Sequence, residues 1–224
     1  MKTVLCYGDS NTYGYDPSTG LRYPESNRWP CRLRALLGED YRVIEEGCNG
    51  RTTDVDDPAE PWKNGRPYLP ACLNTHKPLD IVILMLGSND LKKIYGRSAG
   101  EIAAGAEALV EDIHAFMPVK QGYSPAVILV SPPEVGGGIG DSPFSDRFDE
   151  DAVSRSKELA ALYKAAAERQ GCVFFNAAEY VRPSALDSLH LDPEAHERLA
   201  VELCGAVRRM NQEKRKQINT VQQN

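Results

Sequence analysis

The chain has 224 residues, 42% of them hydrophobic, and a net charge of −6 at pH 7. That is enough apolar material for one well-filled domain and too much for a disordered chain. The longest apolar run, residues 81–86, is far short of a bilayer span, and the acidic balance argues against a nucleic-acid partner, which normally meets a basic face.

Residues 2–8 read as the first strand: Val4-Leu5-Cys6-Tyr7 is a continuous apolar run that ends at Gly8. Residues 1–10 enter this strand with no apolar signal segment, so the expectation is a cytoplasmic protein that does not touch a membrane. Further strands are predicted at 41–46, 80–86, 125–130 and 172–175, and helices at 27–38, 99–116, 149–170 and 193–211. Alternation of this kind predicts a parallel sheet covered by helices on both faces. The last helix has a clear start, with Asp192 as its cap and Pro193 at its first position. One domain is therefore expected over residues 1–210, followed by a polar, frayed tail over 211–224. The basic cluster Arg208, Arg209, Lys214, Arg215 and Lys216 suits the end of a helix.

Two connections exceed the 12–15 residues or so that a simple loop reaches in a compact domain. Residues 51–78 carry Pro58, Pro61, Pro67, Pro70 and Pro78, and residues 131–148 contain Pro132-Pro133 and Gly136-Gly137-Gly138. Both leave the carboxyl edge of the sheet and are expected to wall a pocket or form an interface. Trp29, Trp62 and Tyr13 are assigned to core or interface rather than to the pocket. The six cysteines form no C-x-x-C pair and read as free, buried thiols.

Three polar segments fall where ligands of open α/β sheets bind, outside the carboxyl ends of the strands. These are Gly8-Asp9-Ser10-Asn11, Gly87-Ser88-Asn89-Asp90 and Asp187-Ser188-Leu189-His190. Singly, each residue has a plain explanation: Ser10 as a turn or cap, Asp9 as a turn former, Asn89 as a turn residue. Together they supply a nucleophile, a base, an acid to orient the base and an oxyanion donor. Among the four histidines, only His190 has an aspartate three residues earlier on a loop that reaches the rim. Asp187 can hold Nδ1 so that Nε2 faces Ser10. Asp192 competes for that role, although its place before Pro193 already makes it a cap. Gly50, in Gly47-Cys48-Asn49-Gly50-Arg51 after the second strand, can offer a backbone N–H to the same oxyanion as the Ser10 N–H and the Asn89 amide. There is no G-x-S-x-G, no G-x-G-x-x-G after the first strand, and no H-x-x-x-H or clustered His/Cys set, so neither cofactor nor metal is expected.

Ser10, Gly50, Asn89 and His190, with Asp187, resemble the SGNH (GDSL-type) hydrolase family, over about the first 210 residues. Val43-Ile44-Glu45-Glu46-Gly47, Arg51-Thr52-Thr53, Asp56-Asp57-Pro58, Tyr68-Leu69-Pro70 and Pro78-Leu79-Asp80 are similar to its bacterial arylesterase/acyltransferase branch. The resemblance implies a flavodoxin-like three-layer α/β/α sandwich with a five-stranded parallel sheet in order 2-1-3-4-5. It also implies metal-free ester hydrolysis through an acyl-serine and a closed homo-oligomer, as large as an octamer. Three positions depart from the family pattern: Asn11 replaces a frequent leucine, Ser88 a frequent threonine and Ser188 a common glycine. Gly50 fits the wider family, while the branch can carry alanine there.

The leading reading is a serine esterase for short-acyl esters that also transfers the acyl group to alcohols or peroxide where these outcompete water. The alternatives are a carbohydrate acetylesterase, a lysophospholipase/thioesterase, and a flavodoxin-like binding module in which Ser10, Asn89 and His190 are only turns and caps.

Overall fold

A computed structural model of the chain describes residues 1–221. In chain order the sheet and its helices are β1 (Lys2–Gly8), α1 (Ser10–Tyr13), α2 (Trp29–Leu37), β2 (Tyr41–Gly47), α3 (Gly65–His76), β3 (Ile81–Met85), α4 (Ala99–Gln121), β4 (Ala126–Ser131), α5 (Glu150–Gln170), β5 (Val173–Asn176) and α6 (Pro193–Val221). The five strands are all parallel and lie in the order β2-β1-β3-β4-β5, the sheet implied by the family resemblance.

The central strands are apolar on both faces because both are covered. Leu5 and Tyr7 of β1, Val82 and Leu84 of β3, and Val127 and Leu129 of β4 face the core beneath α3, α4 and α5. Their chain neighbours Val4, Cys6, Ile81, Ile83, Ile128 and Val130 face the opposite core with α2 and α6. Strand period two thus divides one apolar run between two layers. Trp29 is fully buried in the second core, whereas Trp62 is 65% exposed. Tyr13 is half-buried, with the Arg22 guanidinium 4.4 Å above its ring.

Two expectations change. The 51–78 connection is not loop throughout: α3 occupies its second half, begun by the Asn64 side chain accepting from the Arg66 N–H at 3.0 Å. Pro67 lies in the first turn, where N–H groups have no helical partner, so only Pro70 removes an internal bond. The polar tail is likewise helical as far as Val221, since residues 211–221 hold neither glycine nor proline. Residues 222–224 lie outside the described residues, as do the side chains of Lys214, Arg215 and Lys216. Arg208 reaches across to donate to the Leu36 carbonyl at 2.8 Å.

His196 shows how closely α6 is seated. Its imidazole is fully buried, and Nδ1 accepts from the Trp29 N–H at 3.3 Å. Burial, aided by Arg32, His190 and Arg28, pushes it down to about 3. The folded chain therefore keeps His196 neutral while the unfolded chain protonates it below its ordinary value near 6.5. Stability from this residue is complete above that pH and is lost as pH falls toward 3. In urea titrations from pH 6 to 4, wild type should lose stability relative to His196→Gln by up to about 1.4 kcal/mol per pH unit.

Candidate active site

The carboxyl edge of the sheet carries a cavity of about 330 Å³ whose walls include Ser10, Gly50, Asn89 and His190. Gly8 ends β1, and Asp9 then caps α1 by accepting from the Asn11 N–H at 2.9 Å. This puts Ser10 at the first position of the helix, where its N–H has no intrahelical acceptor. Burial pushes the Asp9 carboxyl up to about 6, against the opposing bond from Asn11.

The third segment closes on itself. Asp187 Oδ1 accepts from the N–H groups of Leu189 at 3.0 Å and His190 at 2.9 Å, which leaves Oδ2 for His190 Nδ1 at 2.6 Å. Burial alone would raise the Asp187 carboxyl, but the bonds and charge of His190 take it below the usual carboxylate range. On the other side of the ring, His190 Nε2 lies 2.9 Å from Ser10 Oγ. Asp192 faces away, accepting from the Ala195 N–H at 2.8 Å as the cap of α6. The turn places Ser188 at φ 59°, a left-handed conformation that glycine adopts more readily. The Gly136 N–H donates to the Ser188 carbonyl at 2.7 Å, and a Cβ at Gly136 would stand 2.9 Å from that of Ser188.

The oxyanion side is set by the ends of β2 and β3. Gly50 has φ 81°, and its N–H has no acceptor among the described residues. Asn89 donates one amide hydrogen to the Arg51 carbonyl at 3.1 Å and keeps the other. Arg51 in turn donates to the carbonyls of Gly8 at 3.0 Å and Glu46 at 2.5 Å. Next to Asn89, the buried Asp90 accepts from Thr53 Oγ1 at 2.5 Å and from Arg97 at 2.8 Å. The structure thus brings Ser10, Gly50, Asn89, Asp187 and His190 to one rim. It offers a proton acceptor beside a hydroxyl and up to three donors for a developing oxyanion.

Several contributors have no signature in the sequence. Tyr15 and Phe144 flank His190, with ring centroids 4.2 and 5.3 Å from the imidazole, and Phe148 joins them in the cavity wall. Both long connections reach the cavity, through Lys63 and through Phe144, Arg147 and Phe148. Asn11 is the second omission. Its Oδ1 accepts from the Leu191 N–H at 3.0 Å and its Nδ2 donates to the Leu189 carbonyl at 3.4 Å, clasping the histidine loop from both sides. Among the described residues, one set of side chains has metal-ligand proximity: Glu46, Cys72 and His76, with atoms within 4.8 Å of one another. It lies outside this cavity. Glu46 Oε1 is hydrogen-bonded to His76 Nε2 at 2.7 Å, and burial pushes the Cys72 thiol up to about 12.

Comparison with known proteins places the chain in a family. Residues 6–198 match the model of the GDSL-like lipase/acylhydrolase family. Est24, a carbohydrate acetylesterase from Sinorhizobium meliloti, is 38% identical, with a TM-score of 0.88 over 94% of this chain and 100% of that one. The native aryl esterase of M. smegmatis is 37% identical, with a TM-score of 0.87 over 93% of this chain and 99% of that one. No match was found among curated proteins. The chain belongs to the GDSL-like lipase/acylhydrolase family, and its reaction class is carboxylic ester hydrolysis by a serine esterase. That sets aside the alternative of a binding module.

Asn11→Leu removes both bonds to the histidine loop while keeping the branched skeleton of the side chain. It should lower kcat by about 10–100-fold with a smaller change in KM, since a misplacement near 1 Å costs up to about 10². Steady-state kinetics on a folded variant, checked by circular dichroism, tests this.

Proposed function

We propose that the protein hydrolyses small, short-acyl esters through an acyl intermediate on Ser10. The observation that carries this reading is the unbroken chain Asp187–His190–Ser10, at 2.6 and 2.9 Å, opening into a cavity of about 330 Å³. His190 Nε2 takes the Ser10 proton as Oγ attacks the ester carbonyl, and Asp187 holds the ring in that tautomer. The oxyanion faces the N–H groups of Ser10 and Gly50 and the free amide hydrogen of Asn89. Collapse of the tetrahedral intermediate expels the alcohol, which leaves with the proton from His190. Water then attacks the acyl-serine, giving its proton to His190, and the acid departs as Ser10 recovers its own. An alcohol or peroxide in place of water gives acyl transfer by the same steps.

A second reading, an acetylesterase for sugars, is favoured by the polar side of the cavity, where Asn49, Lys63, Lys92 and Arg147 can meet hydroxyl-rich groups. The name of the Est24 relative points the same way. A cavity of this size gives little support to a lysophospholipase. A cytoplasmic location is consistent with six cysteines that are all unpaired; no helix of the described residues is long and apolar enough to cross a membrane. Trp62 and Tyr68, 65% and 40% exposed on the 51–78 segment, fit a role in a homo-oligomer interface close to the cavity entrance.

Ser10→Ala should lower kcat by about 10⁴–10⁶ and abolish labelling by a fluorophosphonate. Asp187→Asn should impair turnover through the wrong imidazole tautomer, while Asp192→Ala should cost about 1 kcal/mol of stability with turnover retained. An adduct on Ser88 or Ser131, or loss of turnover only in Asp192→Ala, reverses these assignments. Light scattering should give a species several chains in mass, and Trp62→Ala with Tyr68→Ala should shift it toward smaller assemblies and relax a preference for acetyl over octanoyl esters. A monomeric wild type would refute the interface.

A further inference from the structure

An adjoining groove sets Asp57, Glu60 and Asp146 beside the cations of the cavity, but the charged side chains of the cavity's own wall are cationic. Lys63, Lys92 and Arg147 line it and no carboxylate does, although the chain as a whole carries a net charge of −6. Lys92 is the anomaly. It is 7% exposed, and its ammonium has no hydrogen-bond or ion-pair partner among the described residues; its nearest ring contact is Tyr95, with Nζ 6.0 Å from the centroid. The side chain is buried while its ammonium tip opens into the cavity, where it can meet an anion.

The neighbouring cations do not relieve it. Lys63 is ion-paired with Glu60, and its methylenes lie over Gly50, where an added Cβ would meet them at 2.9 Å. Among the described residues, Arg147 has one ion pair, an exposed one with adjacent Asp146 at 3.6 Å. The Lys93 N–H donates to the Arg147 carbonyl at 2.9 Å, which fastens the 131–148 segment beside Lys92. Burial, Lys63 and Arg147 all depress the Lys92 ammonium, with Asp57 and Asp9 opposing them. The position is also telling: the Lys92 N–H donates to the Asn89 carbonyl at 3.2 Å, so the unpaired ammonium shares a turn with the proposed oxyanion donor.

We propose that Lys92, with Arg147 and Lys63, forms an anion subsite, and that the preferred substrates are esters bearing a second oxyanion away from the scissile bond. This rests on the reading that Ser10 attacks an ester in the same cavity. Tyr15, Phe144 and Phe148 form its apolar side, and the cationic side supplies the missing recognition. A carboxylate, as in an acetylated uronic acid, and a phosphate, as in an acetylated sugar phosphate, are the two sources of that chemistry. Binding energy from a substrate group that is not itself reacting serves to orient the ester.

The test compares kcat/KM for acetylated glucuronate, acetylated glucose 6-phosphate and acetylated glucose, and for 3-acetoxybenzoate against its methyl ester. Wild type should favour the charged member of each carboxylate pair by about tenfold at low ionic strength. The ratio should fall toward one in Lys92→Met, and screening by 0.5 M NaCl should reduce it. A phosphate preference exceeding that for carboxylate would assign the subsite to phosphate. Arg147→Gln, at an exposed position, gives a second variant whose ratio should fall should Lys92→Met not fold. Calorimetry of Ser10→Ala protein with glucuronate and with methyl glucoside reads binding without turnover. Lys92-dependent binding of glucuronate with no hydrolysis of any ester would keep the subsite and remove the esterase mechanism. Brisk hydrolysis with the same charged-to-neutral ratio in wild type and variants would keep the mechanism and overturn the subsite.

Discussion

The contact between Ser10 Oγ and His190 Nε2 joins residues 180 apart in the chain, and the Asn11 side chain is what holds those two segments in register. A helix of four residues such as α1 has little stability of its own. It is fixed at one end by the register of β1 and by the Asp9 cap, and along its side by the two Asn11 bonds to Leu189 and Leu191. The histidine loop is equally dependent. Asp187 shapes the turn with one oxygen and orients the ring with the other. One carboxylate therefore does both the folding and the positioning, and the loop accepts a left-handed Ser188 to bring it within reach.

The opposite wall is laced by polar groups rather than packed by apolar ones. Arg51 joins the ends of β1 and β2 through the Gly8 and Glu46 carbonyls, stacks on the ring of Tyr7, and offers its own carbonyl to Asn89. Asp90 ties the end of β3 to Thr53 and Arg97. Buried networks of this kind rigidify when complete and are costly when one member is missing. The proposed oxyanion donors Gly50 and Asn89 sit one residue from Arg51 and Asp90 respectively, so their aim is set by this network.

The strands, the sheet order and the meeting of Ser10, Gly50, Asn89, Asp187 and His190 at one rim are legible because each follows from a local rule or from the family resemblance. Apolar runs ended in polar turns, and Pro193 accounted for Asp192, which left Asp187 to face His190. The rest depends on distance in space. Helix α3 was hidden because its prolines read as loop, although Pro67 falls where helices tolerate it. Tyr15, Phe144 and Phe148 lie on irregular segments with no periodicity to mark them. Asn11 looked like a departure from a leucine, and its value appears only when residues near 190 are placed against it.

The two sides of the cavity ask different things of a substrate. Around His190 the aromatic rings exclude water and strengthen the Asp187–His190 interaction, since electrostatics gain in a low-dielectric site. Elsewhere in its wall Lys92 carries an unpaired ammonium beside Lys63, which is paired with Glu60, and Arg147, which is paired with Asp146, in an otherwise acidic protein. Low-dielectric walls focus such a field outward and raise the local concentration of anions. A neutral acyl group suits the first side and a charged or hydroxyl-rich remainder suits the second. In the proposed binding mode the ester bond lies between the two, beside Ser10.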